Sequence, residues 1–349
     1  MELRFILCIL IILVLRSFSS YPLFETSTCH NRHGKIISPG ICKKLNDCPV
    51  ALEAVVKNRR HFFNRCGFTN EDVELVCCPS ISTRFAVSVE RKSEIFCEQH
   101  VDRLEEEVEE TVTGGIDANE KEFPHMAALA FNTSGYITHD CGGTLISDRF
   151  VLTAAHCFVL GVKPPFGVRL GVTVLNDTDH VDVDIKNVTL HRKFNPHEKH
   201  DDIALIELSR SIEFSDSIRP ACLYAKPDDP QGLVVTGWGE TLREETKILQ
   251  KAPLSAVSKK ECNRMMQKSK DRYSLRPTQI CAIGSGTDAC IGDSGGPLQV
   301  RREKGGYAVV GIVSHGPHGC GGVIPAVYTR VFPYLKWIEN VVWKDDMEM

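Results

Sequence analysis

The sequence predicts an all-β protein, a large barrel domain preceded by a small domain held by disulfides. Three observations carry this. From Val112 onward, short apolar runs such as Met126–Phe131, Gly143–Ile146, Ile203–Leu208, Leu233–Trp238 and Val309–Val313 are separated by Gly, Pro, Asn and Asp. That is the texture of a barrel, not of alternating strands and helices. Upstream, Cys29, Cys42, Cys48, Cys66, Cys77 and Cys78 crowd between positions 29 and 78. So short a segment has little core and needs bridges worth about 2–4 kcal/mol each. In the tail, Leu335, Ile338, Val341 and Val342 recur at helical spacing, so the barrel domain is expected to end in a helix.

The chain opens on Arg4, the apolar stretch Phe5–Leu15 and the small-residue patch Ser17-Phe18-Ser19-Ser20. A bilayer span needs about 20 apolar residues, and this stretch is too short. Residues 1–20 therefore read as a signal peptide cut near Ser19 to Tyr21, and the protein as secreted, with no membrane anchor. Among the 349 residues the net charge is −4, which gives no reason to expect nucleic acid or an anionic membrane as partner. Zinc is the competing use of 15 cysteines. With no CxxC repeat and a secretion signal, a disulfide framework is expected instead. Loss of Cys8 with the signal leaves an even number. Spacing alone leaves the pairing of the first six open.

Residues 79–111 show little hydrophobic periodicity and carry the acidic run Glu105–Glu110, which reads as a solvated linker interrupted by Cys97. Sequons occur at Asn132, Asn176 and Asn187 and are candidate glycan sites on surface loops.

The chemistry centres on Asp288-Ala289-Cys290-Ile291-Gly292-Asp293-Ser294-Gly295-Gly296-Pro297. A serine is a weak nucleophile until a base takes its proton and backbone donors receive the oxyanion. Ser294 lies among glycines, where backbone N–H groups can approach a substrate. Thr153-Ala154-Ala155-His156-Cys157 offers the base, and Asp202-Ile203-Ala204-Leu205 a carboxylate to orient it. The order His156, Asp202, Ser294 and the words around each residue resemble the chymotrypsin-like serine peptidases over roughly residues 112–340. The resemblance implies two six-stranded barrels with a C-terminal helix and the site between them. His156 is then general base and acid, Asp202 its orienting carboxylate, and Ser294 the nucleophile. The N–H groups of Gly292 and Ser294 form the oxyanion hole.

Asp288, six residues before Ser294, would lie at the base of the primary pocket and pair with Arg or Lys of the substrate. Ser314, Gly316 and Ala326 would form its walls. His315 and Ala326 depart from the family pattern, which usually has an aromatic residue and glycine there. A narrower pocket, favouring Arg over Lys, is expected. Val112-Thr113-Gly114-Gly115 resembles the start of an activated peptidase. Cleavage between Thr111 and Val112 would free an ammonium group that buries against Asp293, so the chain reads as a zymogen. Thr111 offers no basic residue to a trypsin-like activator, so the activating protease is expected to be of another specificity.

The cysteine set ending in a doublet upstream of a peptidase resembles the clip domain of arthropod serine proteases. That likeness implies Cys29–Cys77, Cys42–Cys66, Cys48–Cys78, Cys97–Cys222, Cys141–Cys157, Cys262–Cys281 and Cys290–Cys320. It also implies a clip domain at 28–78, an activation linker at 79–111 and a peptidase domain at 112–349, the two chains remaining joined by Cys97–Cys222 after activation. The expected function is a protease of an extracellular cascade, in innate immune signalling or melanisation. Its substrate would be a downstream zymogen or pro-ligand, and its inhibitor of the serpin type. A catalytically weak clip-domain adaptor and a venom protease are the alternatives. No cofactor is expected. No metal is expected either, since Val172 stands where the family's calcium loop has its first acidic ligand.

Overall fold

The computed structural model describes residues 27–33, 36–48, 51, 55, 63–69, 73–79, 91–101, 116–159, 163–239, 247–267, 274–284, 293–316 and 324–344, in two units divided between Val89 and Glu90. In the first unit, β1 (Thr28–His33), β2 (Ile36–Lys44), β3 (Arg65–Phe68) and β4 (Glu74–Pro79) form a sheet in the order β1-β2-β4-β3. Successive side chains point to opposite faces of a strand, so the doublet on β4 serves both faces. Cys77 joins Cys29, and Cys78 joins Cys48 beyond the 3-10 turn Leu45–Asp47. Cys42 of β2 joins Cys66 of β3. Among the described residues, the clusters around the bridges are small, such as Cys48, Ala51, Val76 and Cys78 with Leu45 and Phe63.

The second unit holds two barrels. β6 (Met126–Thr133), β7 (Tyr136–Leu145), β8 (Phe150–Thr153), β9 (Gly167–Leu170), β10 (Val181–Leu190) and β11 (Ala204–Leu208) close in the order β10-β11-β8-β7-β6-β9. β13 (Leu233–Gly237), β14 (Gln250–Val257), β15 (Gln279–Ile283), β16 (Pro297–Arg301), β17 (Tyr307–His315) and β18 (Ala326–Arg330) close through the β17–β18 pair. The short β5 (Ile116–Asp117) and β12 (Cys222–Leu223) add to β14 and β17. Leu145, Leu152, Ile203 and Leu205 fill the first barrel, and Leu233, Val235, Ile280, Leu298 and Tyr328 the second. The tail forms the helix that its spacing predicts (Leu335–Val342), burying Leu335 and Ile338 against the first cluster. No helix among the described residues is long and apolar enough to cross a membrane.

One element was not legible in the sequence. Helix α1 (Lys92–His100) lies inside the stretch that reads as a linker, and it belongs to the second unit. Lys-Ser-Glu-Ile-Phe-Cys-Glu-Gln-His has no apolar stripe, and its order comes from docking. Cys97 is bonded to Cys222 of β12. Ser93 Oγ donates to Glu339 Oε1 at 2.7 Å, and Arg91 Nη1 lies 3.4 Å from Glu339 Oε2 on the C-terminal helix. Lys92 Nζ meets the carbonyl of Trp343, and the Phe96 ring lies 5.5 Å from that of Trp343. Between β14 and β15, α2 (Lys259–Met266) starts at Ser258, whose hydroxyl accepts the Glu261 N–H.

A buried polar bridge crosses from the start of β6 to the second barrel. His125 Nε2 donates to Gln299 Oε1 at 2.6 Å, and Gln299 Nε2 donates to Thr236 Oγ1 at 3.0 Å. Burial, only partly offset by Gln299, holds His125 down to about 4 from 6.5. Between those pH values the unfolded chain takes up a proton that the native chain refuses. Stability is therefore full above pH 6.5 and falls toward pH 4, by about 3 kcal/mol from this residue. His315, which burial and the nearby Lys199 hold down to about 3, adds to the same slope. The urea midpoint is expected to drop across that window, and His125→Gln, with a neutral amide, to flatten the slope without abolishing it.

Candidate active site

Asp202 lies two residues before the start of β11 and is 1% exposed. Its Oδ1 accepts the backbone N–H of His156 at 2.9 Å, and its Oδ2 lies 2.7 Å from His156 Nδ1. Ser314 Oγ donates to the same Oδ2 at 2.6 Å, and Thr329 Oγ1 donates to the Asp202 carbonyl at 2.8 Å. Burial works against the charge on this carboxyl, but the bonds from His156 and Ser314 outweigh it and hold it below the usual carboxylate range. An ionised carboxylate only accepts. The proton of a neutral His156 is therefore on Nδ1, and Nε2 is left with a lone pair.

His156 stands on a 3-10 turn (Ala155–Phe158) after β8, with Ala155 and Cys157 turned into the core. Cys157 is bonded to Cys141 of β7. Ser294 precedes β16 and is pinned from both barrels: Gly142 N–H donates to its carbonyl at 2.8 Å, and Gly295 N–H donates to the Val313 carbonyl at 2.9 Å. Gly295 has φ +80, and a Cβ there would overlap Thr153 Oγ1 and the Gly142 carbonyl. Only glycine lets the turn carrying Ser294 lie this close to the first barrel. Ser294 and His156 line one cleft of about 550 Å³, together with Phe131, Asn132, Asp140 and Lys163.

Asp293 sits behind the serine, where Gly239 N–H donates to its Oδ1 at 2.9 Å. Its carboxylate occupies the space that a Cβ on Gly237 would need. Thr111, Val112, Asp288, Gly292 and the pair Cys290–Cys320 lie outside the described residues, as do residues 1–20. Cys262 is joined to Cys281. Of the expected pocket walls, Gly316 and Ala326 face each other, a Cβ on Gly316 falling 3.7 Å from that of Ala326. Asn176 and Asn187 are exposed on the first barrel, and Asn132 on the hairpin between β6 and β7.

Two partners were missed by sequence reasoning. Ser314 reads as a pocket wall, yet its hydroxyl is spent on Asp202. Asp201 reads as a plain loop carboxylate, yet it holds φ 53 and accepts the Tyr334 hydroxyl at 2.7 Å. Burial and that carboxylate push the Tyr334 hydroxyl up, which keeps it a donor. A left-handed non-glycine residue is costly, about 1–3 kcal/mol, and is held here by contacts from the far end of the chain. Cys141, His156 and Cys157 lie within metal-ligand distance of one another, as do Cys29, Cys42 and Cys66, but these thiols are consumed in disulfides. Asp182 of β10 is held by Arg169, its partner on β9, through two bonds of 2.8 Å.

The family model described as Trypsin matches residues 112–338. Serine protease Hayan of Drosophila melanogaster is 40% identical over 238 residues, covering 63% of this chain but only 37% of that protein. CLIP domain-containing serine protease B4 of Anopheles gambiae is 34% identical over 308 residues, covering 80% of this chain and 81% of the relative. Among solved structures, the Drosophila Grass clip serine protease of the Toll pathway superposes with a TM-score of 0.62 at 25% identity, over 93% of this chain and 99% of that one. With a barrel pair, a His–Asp–Ser cleft and a cystine-rich N-terminal unit already in place, these likenesses assign the chain to the trypsin family, among its clip-domain serine proteases.

Proposed function

We propose that the protein is a secreted serine endopeptidase, made as a zymogen, that cleaves protein substrates after Arg or Lys in an extracellular proteolytic cascade. The observation that carries this is the ionised Asp202 bonded to His156 Nδ1 in the cleft that Ser294 shares. Ser294 Oγ attacks the substrate carbonyl while its proton passes to His156 Nε2. Asp202 stabilises the imidazolium, and the N–H groups of Gly292 and Ser294 hold the oxyanion. Collapse of the adduct breaks the C–N bond, and the leaving amine takes the proton from His156. Water then gives a proton to His156 and its oxygen to the acyl carbon, releasing the acid and restoring Ser294.

Asp288 supplies the specificity for a cationic side chain, and the Ala326 methyl narrows the pocket in favour of Arg. The immune setting is supported by the likeness to a protease of the Toll pathway. Cleavage between Thr111 and Val112 by an activator that is not trypsin-like delivers the new terminus to Asp293.

The test is active-site titration of the chain with an engineered cleavable sequence before Val112. Turnover of Arg peptides that appears only after the cut, and disappears in Ser294→Ala, is the expected result. A clean Val112 terminus without turnover would overturn the reading in favour of an adaptor.

A further inference from the structure

We propose that Asn132 carries an N-linked glycan that stands over the mouth of the cleft and selects among macromolecules approaching the protease. This rests on the secreted peptidase reading above. Asn132-Thr133-Ser134 is a sequon, and its asparagine is exposed, as are Asn176 and Asn187. Position separates the three. Asn132, Thr133 and Ser134 line the cleft with His156 and Ser294, whereas Asn176 and Asn187 do not.

The local geometry suits modification. β6 turns into β7 through Ser134 and Gly135, with φ 54 and 93, a two-residue reversal with both central residues left-handed. Asn132 Oδ1 accepts the Gly135 N–H at 3.1 Å, which fixes the side chain at the turn. Its Nδ2, the atom that carries the sugar, has no protein partner among the described residues. The returning strand exposes Tyr136 and Ile137 to 77% and 60%, and Ile137 lies directly across the strand pair from Asn132. A sugar rooted at Asn132 shields that apolar side chain from nonspecific contact.

A branched oligosaccharide is wide compared with a cleft of about 550 Å³. A short extended peptide reaches Ser294 beneath it. A folded protein must seat against the hairpin as well as in the cleft, and it meets the sugar first. The glycan therefore lowers association with folded partners while sparing peptides.

The experiment uses full-length protein secreted from insect cells, with Asn176→Gln and Asn187→Gln in place so that Asn132 is the one remaining sequon, activated at the engineered site. Mass spectrometry reads occupancy. Turnover of a short Arg peptide and association of a Kunitz-type trypsin inhibitor, followed by surface plasmon resonance, are compared before and after endoglycosidase trimming. Trimming is expected to leave peptide kcat/KM within about twofold and to raise the inhibitor association rate roughly tenfold, since steric access acts on the encounter. Ser134→Gly, which removes the sequon but suits the left-handed turn, is expected to reproduce the faster association. An unoccupied Asn132, or trimming that leaves inhibitor association unchanged, would overturn the proposal. Absence of peptide turnover in all forms would sink the peptidase reading instead, while the binding traces still judge the glycan.

Discussion

Asp202→Asn is expected to lower kcat of the activated protein by about 10⁴-fold, the size known for making this carboxylate an amide in a Ser-His-Asp site. Folding should change little. Asn Oδ1 can still accept the His156 backbone N–H that Asp202 Oδ1 accepts at 2.9 Å. The amide nitrogen, however, replaces the oxygen that lies 2.7 Å from His156 Nδ1. It donates where the carboxylate accepted, so Nδ1 becomes the acceptor and the ring's proton moves to Nε2. The atom that should take the Ser294 proton is then already protonated, and an imidazolium would have no counter-charge. Steady-state kinetics on an Arg peptide, with unfolding midpoints alongside, checks this. A loss below tenfold would mean that His156 is oriented by something else.

Gly237→Ala is the second large effect, an expected loss of about 10² or more in kcat/KM from a single methyl group far from the substrate. Gly237 pairs with Gln250 in the second barrel, and a Cβ there falls on the Asp293 carboxylate. Strand pairing keeps the glycine backbone in place, so Asp293 must yield. It would lose the Gly239 N–H bond of 2.9 Å and carry its neighbour Ser294 with it. Overpacking of this kind costs about 1–3 kcal/mol, which a chain stapled by disulfides survives. The measurement is kcat/KM together with titration of the active serine. Activity within threefold of the parent would show that the turn carrying Ser294 does not depend on Asp293.

What was legible in the sequence was what chemistry writes locally. His156, Asp202 and Ser294 each stand in a short word whose neighbours build the turn that presents them, and the alternation of apolar runs announces the barrels. What was hidden depends on partners far along the chain. The role of Asp201 became visible only with Tyr334, 133 positions away, and that of Ser314 only with Asp202, 112 positions away. Helix α1 was hidden for the same reason, because its order comes from Glu339 and Cys222 and not from its own periodicity.

That helix also decides what a cut in the chain would release. Held by a covalent bond to β12 and by contacts to the C-terminal helix, α1 makes any cut between it and Val112 a change in chain number without a change in particle number. The N-terminal unit, continuous with α1 in sequence, would leave such a cut still joined to the barrels by that bond. Any surface gripped by the N-terminal unit would then hold the cut molecule at an effective concentration that free diffusion erases.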